Sequence, residues 1–193
     1  MKLAEQQLIE FDHQAHVLFE PYAGSLPVKA LGLFSKLGNQ PELRLLAGGL
    51  MIAGTMAGND RLVLAGARMM IAHEAATAAK DLMKTKVDRT RPRSANSREE
   101  KKPKKGNHTA KEMTSFPSGH SAGAIAASRA FTREFPEYEA VAMAAAGVIA
   151  ASQVVRCAHY PTDVAAGIAI GLAAEAATAA AWDAARMNER SAG

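Results

Sequence analysis

Alanine fills 42 of the 193 positions, in runs such as AATAA (75–79), AMAAAG (142–147) and AAEAATAAA (173–181). A methyl side chain loses no rotamer entropy in a helix. It also lets two helix backbones approach more closely than a larger side chain would. Valine and isoleucine nowhere alternate with polar residues as a half-buried strand requires. Aromatic residues make up only 5% of the chain, so bulky core side chains are scarce. These features predict an all-α protein: a compact bundle of about six core helices, held by close backbone contact.

Proline, glycine and capping residues divide the chain. An amphipathic first helix is expected over about 3–19, at the periphery, and a short one over about 26–37 after Pro21 and Pro27. Asn39 and Pro41 open a third, and Asp60 a fourth. A polar loop follows at about 92–116. Ser118 begins a fifth helix, Pro136 separates it from a sixth over about 137–157, and Pro161 opens a last one to about 187. There is no internal repeat and no composition break, so residues 1–193 read as a single domain. The stretch 93–115 reads as a flexible basic loop: from Arg93 to Lys111 it carries seven Lys or Arg against two Glu, more than enough for the whole chain's net charge of +4. Such a loop is either solvated or faces phosphates, anionic lipid or nucleic acid.

The single cysteine, Cys157, excludes an intrachain disulfide. The start, MKLAEQQLIEFDHQ, lacks the basic-then-apolar layout of a secretory signal. The uncharged runs Leu45–Asn59 and Ala140–Val155 fall short of the roughly 18–20 apolar residues of a clear membrane span. Val164–Trp182 is long enough but contains Glu175. Composition alone therefore accommodates a soluble bundle or one of short membrane helices.

Three polar clusters fall at helix junctions. In KTKVDRTRP, Lys84 and Arg91 stand seven apart and share a face if the helix persists to Arg91. Together they offer a point charge and a fork of donors, a pair suited to phosphate. In SFPSGHSAG, Ser118, Gly119 and His120 open a helix whose free N–H groups attract anions. His120 stands where it can protonate a leaving oxygen; alternatively Ser118 is an N-cap and His120 a surface residue. In SQVVRCAHYPTDV, His159 and Asp163 are four apart across Pro161. An aspartate that takes one imidazole N–H leaves the other nitrogen free to attack. His73–Glu74, in an Ala-rich helix, read as a polar pair at a helix interface.

Cations, an anion-binding helix start and an oriented histidine are matching chemistry. Their order, Lys-x6-Arg-Pro, then Pro-Ser-Gly-His, then Ser-x6-His-x3-Asp, resembles the type 2 phosphatidic acid phosphatase (PAP2) superfamily, which also includes bacterial acid phosphatases and vanadium haloperoxidases. The resemblance spans 84–163. It implies that His159 is a nucleophile that takes a phosphoryl group, Asp163 orients it, and His120 protonates the leaving alkoxide. It further implies that Lys84, Arg91, Ser118 and the Gly119 N–H hold the phosphate oxygens. One position departs: where the family has Arg directly after its motif Ser, this chain has Gln153 after Ser152. Arg156, about one turn on, is the expected substitute cation, with Gln153 the alternative.

The activity so implied is metal-independent hydrolysis of a lipid phosphate or pyrophosphate, of the phosphatidic acid or isoprenyl pyrophosphate type, without a cofactor. The expected partners are a phosphorylated lipid and the membrane, not nucleic acid, and the expected location is integral and multi-pass. A vanadate-dependent haloperoxidase and a non-catalytic anionic-lipid-binding protein are the alternatives. Membrane members of the family have six spans and often face the active site away from the cytoplasm, whereas the basic loop favours a cytoplasmic side.

Overall fold

The computed structural model describes residues 2–95 and 102–192. Seven α-helices carry the architecture: α1 (Lys2–Phe19), α2 (Leu26–Ser35), α3 (Gln40–Ala57), α4 (Asp60–Lys84), α5 (Gly119–Glu134), α6 (Glu139–Val155) and α7 (Pro161–Ala192). Most starts carry the expected signals, but the cap of α4 is Asn59 and not Asp60, and Asn39 before α3 makes no side-chain cap bond. Asn59 caps α4 by accepting from Leu62 N, Ser118 caps α5 by accepting from Ser121 N, and Pro lies in the first turn of α2 and α3. Helix α3 ends in a left-handed Gly58, φ 62°.

Helices α4 and α5 lie at the centre, packed on each other and on α7, with α3 against α4 and α6 against α5. The core between them is mostly alanine: Ala47, Ala72, Ala76, Ala122, Ala126, Ala127 and Ala130, with Leu43 and Met69. Such a core needs close backbone approach, and glycine supplies it at the crossings. A Cβ on Gly66 would stand 2.5 Å from the Ala47 carbonyl oxygen of α3, and one on Gly171 would stand 2.5 Å from the Ala122 oxygen of α5. His73 is buried, its ring packed 3.0 Å from where a Gly123 Cβ would be. Glu74 turns the other way and accepts two bonds from Arg44, at 2.6 and 2.9 Å. His73 thus lies in the core, and Glu74 ties α4 to Arg44 of α3.

One expectation is corrected. Helix α4 stops at Lys84 and does not carry on to Arg91; Val87–Asp88 form a short strand, β1, antiparallel to β2 at Lys104–Lys105. Pro92 disfavours the helical conformation for Arg91, which is extended at φ −64°, ψ 147°. Where it is described, the basic stretch makes hydrogen bonds to the chain that follows α4. Arg89 N donates to Met113 O (2.8 Å), Arg91 N to Glu112 O (2.8 Å) and Ser115 N to Arg89 O (2.9 Å). His108 pairs with Asp88 through its ring and its backbone N–H. Arg98 and Lys101 of that stretch lie outside the described residues.

Substituting Gly66 by Ala is expected to cost about 1–3 kcal/mol through overpacking at the α3–α4 crossing. Thermal unfolding of the purified protein reads this directly. A loss below about 0.5 kcal/mol would show that the two helices part freely.

Candidate active site

The ends of five helices meet at one end of the bundle: the starts of α3, α5 and α7 and the finishes of α4 and α6. Between them opens a cavity of about 470 Å³, lined by Gly38 to Pro41, Lys80, Lys84, Arg91, Lys111, Gly119, His120 and His159. Of the residues expected at the site, Lys84, Arg91, Gly119, His120 and His159 thus come together. The extended chain after α4, and not a continued helix, brings Arg91 back over the cavity.

His159 reaches the cavity because of how α6 ends. Cys157 takes a left-handed φ of 49°, and the N–H groups of Ala158 and His159 turn back to the Gln153 carbonyl, at 2.9 and 3.1 Å. The buried imidazole then lies between two partners. Arg91 Nη1, which can only donate, meets Nε2 at 3.1 Å. Nε2 is therefore the unprotonated nitrogen, and Nδ1 carries the hydrogen. Nδ1 lies 3.6 Å from Asp163 Oδ2 and 3.5 Å from Ser115 Oγ. Ser115 donates to the same Oδ2 at 2.5 Å, so its hydroxyl bridges the imidazole and the carboxylate.

Asp163 is fully enclosed. The Tyr160 N–H also donates to Oδ2, at 2.9 Å. Its other oxygen, Oδ1, accepts from Arg89 Nη1 at 2.6 Å. Arg89 is itself buried, and its Nη2 donates to Asp12 Oδ2 of α1 at 2.6 Å. Asp12 accepts in addition from Thr162 N at 3.0 Å, and the Tyr160 ring covers the guanidinium at 4.1 Å. A carboxylate–guanidinium–carboxylate chain thus runs from α1 to the start of α7. Neither Arg89 nor Asp12 was expected from the sequence. Arg89 stands between the two motif cations, and its spacing of two from Arg91 would put both on one face of a regular strand, so no local pattern marks its separate role.

Ser118, expected at the phosphate, is buried with its hydroxyl engaged in capping, accepting from Ser121 Oγ at 2.9 Å; Gly119 and His120 present the helix start to the cavity instead. Gln153 and Arg156 are not brought there. The buried Gln153 amide donates to Ile149 O (3.1 Å) and Ser152 Oγ (2.9 Å). Arg156 lies along α2 and donates to Ser35 Oγ at 2.7 Å. The cation beside Lys84 is Lys80, buried one turn earlier on α4 and bonded to Asp81 at 2.5 Å. Its Cδ would be 3.0 Å from a Cβ on Gly119. The (i, i+4) spacing from Lys84 is the signal that marks it.

Burial under like charges shapes the titration of the site. Lys84 is pushed down to about 8, first by burial and then by Arg91 and Lys80. His120 is pushed down to about 4, by burial and then by His159, Arg156 and Arg91. Burial, partly opposed by Asp163, lowers His159 as well. The cavity is a cationic enclosure with two imidazoles held neutral near pH 7. Among the described residues no group of three His, Cys, Asp or Glu gathers into a metal site.

A helical bundle that opens at one end on a cation-lined cavity, with a histidine backed by aspartate, is the kind of site that takes phosphoryl groups. The chain belongs to the PAP2 superfamily, whose sequence profile matches residues 61–187. Its fold is similar to the crystal structure of Aquifex aeolicus LpxE, with a TM-score of 0.59 and 19% identity over 84% of this chain and 90% of that one. The transmembrane PAP2 type phosphatidylglycerolphosphate phosphatase from Bacillus subtilis aligns over 89% of this chain and 92% of that one, at 19% identity and a TM-score of 0.41. No curated protein sequence matches the chain.

Arg89→Ala leaves Asp12 and Asp163 buried without their shared cation. It is expected to lower the unfolding free energy by about 3–5 kcal/mol, measured by urea titration. A change under about 1 kcal/mol would show that solvent screens the chain of charges.

Proposed function

We propose that the protein is a phosphatase of the PAP2 type that hydrolyses a lipid phosphate through a phosphohistidine intermediate. The observation that carries this reading is the placement of the His159 ring: Nε2 faces Arg91 at the cationic cavity, while Nδ1 faces Ser115 and Asp163, which favours the tautomer with Nε2 free to attack. In the proposed reaction Arg91 moves from Nε2 to a phosphate oxygen. Nε2 attacks phosphorus, the bond to the leaving oxygen breaks, and His120 gives that oxygen its proton. His120 then takes a proton from water, whose oxygen attacks the phosphohistidine. The N–P bond breaks and inorganic phosphate leaves. Lys84, Arg91 and the Gly119 N–H hold the equatorial oxygens, where charge spreads in phosphoryl transfer.

In this reading the charge that Gln153 does not bring is supplied by Lys80 and not by Arg156. Lys80 lines the cavity and Arg156 does not. A bound phosphate would reverse the depressed titration of His120, which burial and the neighbouring cations cause. A dianion beside the ring restores its proton, so His120 becomes an acid only when substrate is present.

The lipid part of the reading rests on the outer surface. Leu45, Ile52 and Met56 of α3, Val141 and Val148 of α6 and Leu172 of α7 all point outward. Two helical stretches, Pro136–Val155 and Pro161–Glu189, are long and apolar enough to cross a membrane. In the proposal they do so, and the cavity opens at the interface where lipid phosphates lie.

The test is phosphate release from phosphatidic acid in detergent micelles, with chelator present. His159→Ala is expected to abolish turnover, and a phosphoryl group should be trapped on His159 in the wild type. A near-normal rate in the alanine variant overturns the nucleophile assignment. Lys80→Ala should cost about 2–4 kcal/mol in kcat/KM, as loss of one preorganised donor does, while Gln153→Ala costs less than about 1 kcal/mol; the reverse order refutes the role given to Lys80.

The pH profiles carry a separate expectation. The free enzyme holds His120 protonated only below about 4, so kcat/KM should fall as pH rises from the acid side. The kcat profile should fall at higher pH, because bound phosphate raises the same group. Coincident profiles would show that substrate does not reprotonate His120.

A further inference from the structure

Beside the phosphate cavity, on the other side of the Lys36–Gly38 turn, lies a second opening of about 740 Å³, between α2, the Arg93 segment and the end of α6. The reaction described above makes no use of it. Its apolar lining includes Leu26, Val28 and Leu33, and its charged lining is Lys29, Lys36, Arg93 and Arg156, with no acidic side chain. Among the described residues none of these four cations lies within ion-pair distance of a carboxylate. Arg156 is fixed in place: its Nη1 donates to Ser35 Oγ at 2.7 Å, and its Nε lies against Gly32, where a Cβ would stand 3.0 Å away.

The groove and the cavity share their walls. Lys36 lines the groove, and Gly38, two residues on, lines the cavity next to His120. Arg91 lines the cavity and Arg93 the groove. Arg93 N bonds the Cys157 carbonyl at 3.2 Å, and Arg91 Nη1 bonds the Ala158 carbonyl at 3.0 Å. A path of cations therefore runs Arg91, Arg93, Arg156 along the loop that carries His159. The charges press on one another: after burial, Arg93 is the next cause that lowers the pKa of both Arg91 and Arg156. An anion in the groove would relieve that repulsion, and burying its neighbour's chain on Leu26 and Leu33 would cover apolar surface that now faces outward.

We propose that this groove binds a second anionic group of the lipid substrate, with an acyl chain laid on Leu26 and Leu33. The substrate class is then a lipid with a terminal phosphate monoester and a separate anionic group, preferred over a lipid whose monoester is its sole anion. This rests on the phosphatase reading for the cavity. The groove supplies recognition, and Arg156 touches no reacting atom.

The experiment compares phosphatidic acid with phosphatidylglycerol phosphate of identical acyl chains, in mixed micelles, using the full chain. The second lipid has a phosphodiester besides its terminal phosphate. The wild type should favour it by at least about tenfold in kcat/KM, the scale of one or two charge-assisted hydrogen bonds. Arg156→Gln combined with Lys36→Gln should remove that preference through KM, with the rate on phosphatidic acid held within about twofold. Arg156→Lys should keep part of it. No preference in the wild type, or an equal loss on both lipids in the variant, overturns the proposal. Binding of the same two lipids to His159→Ala, read by calorimetry, separates the two readings. If the wild type hydrolyses neither lipid but the two-anion lipid still binds His159→Ala more tightly, and loses that advantage on Arg156→Gln, the phosphatase reading fails and the groove stands. Glycerol 3-phosphate binding as tightly as the lipids would show that free phosphate, and not a lipid, is the ligand.

Discussion

A guanidinium buried between two carboxylates ties this structure together. Arg89 binds Asp163 on one side and Asp12 on the other, and so fastens α1 to the start of α7 through the segment that follows α4. Enclosing three charges is costly unless their geometry and remaining hydrogen bonds are satisfied. Here Thr162, Ser115, the Tyr160 N–H and the Tyr160 ring complete the shell. The charges give little net stability of their own. They fix geometry instead: with both oxygens of Asp163 occupied, the carboxylate cannot rotate, and the Nδ1 side of His159 has one arrangement of acceptors to face.

The cavity above this base is built on the opposite principle. Lys80, Lys84, Arg91 and Lys111 converge on it, and Asp81, the carboxylate bonded to Lys80, is exposed. Burial and mutual repulsion lower Lys84 to about 8 and His120 to about 4. A site that holds uncompensated positive charge lowers the stability of the empty protein and gains most when an anion arrives, because the anion answers every cation at once. The two halves are therefore complementary: a saturated ion chain below that cannot move, and an unsaturated cluster above that waits for charge.

Much of this was legible in the sequence. Alanine content and the positions of Pro41, Ser118, Pro136 and Pro161 mark the helices, because caps and breakers act through local backbone geometry. The three clusters mark the residues that line the cavity, because their types were chosen by chemistry. What could not be read depends on tertiary placement. Ser118 has the same type whether it caps or binds a ligand, and only its burial beside Ser121 decides. Arg156 lies one turn from the position of Gln153, but the left-handed turn at Cys157 and the slot beside Gly32 direct it to α2. Arg89 and Asp12 are 77 residues apart, and no local pattern announces such a pair. Lys80 was visible in principle, by its spacing from Lys84, but a lysine near a helix end is usually solvated, and that expectation hid it.

Helix α1 shows why the site and the surroundings of the protein belong to one problem. It turns Asp12 and His16 inward and leaves Leu8, Phe11, Val17 and Leu18 outward. In a small helix facing water this pattern would be inverted. At the boundary of a lipid layer it is the stable one, with apolar side chains in the hydrocarbon margin and the polar face against protein. The polar face carries Asp12, which holds Arg89, which holds Asp163. The geometry of His159 thus depends on a helix that leaves its own apolar side chains outward. The starts of α3, α5 and α7 and the basic loop lie at the same end of the bundle, the end at which the cavity opens. A bundle of alanine helices has few large side chains with which to build a deep polar pocket in its interior. Its ends, where backbone N–H groups are free and long cations can converge from loops, are where such a fold can hold an anion.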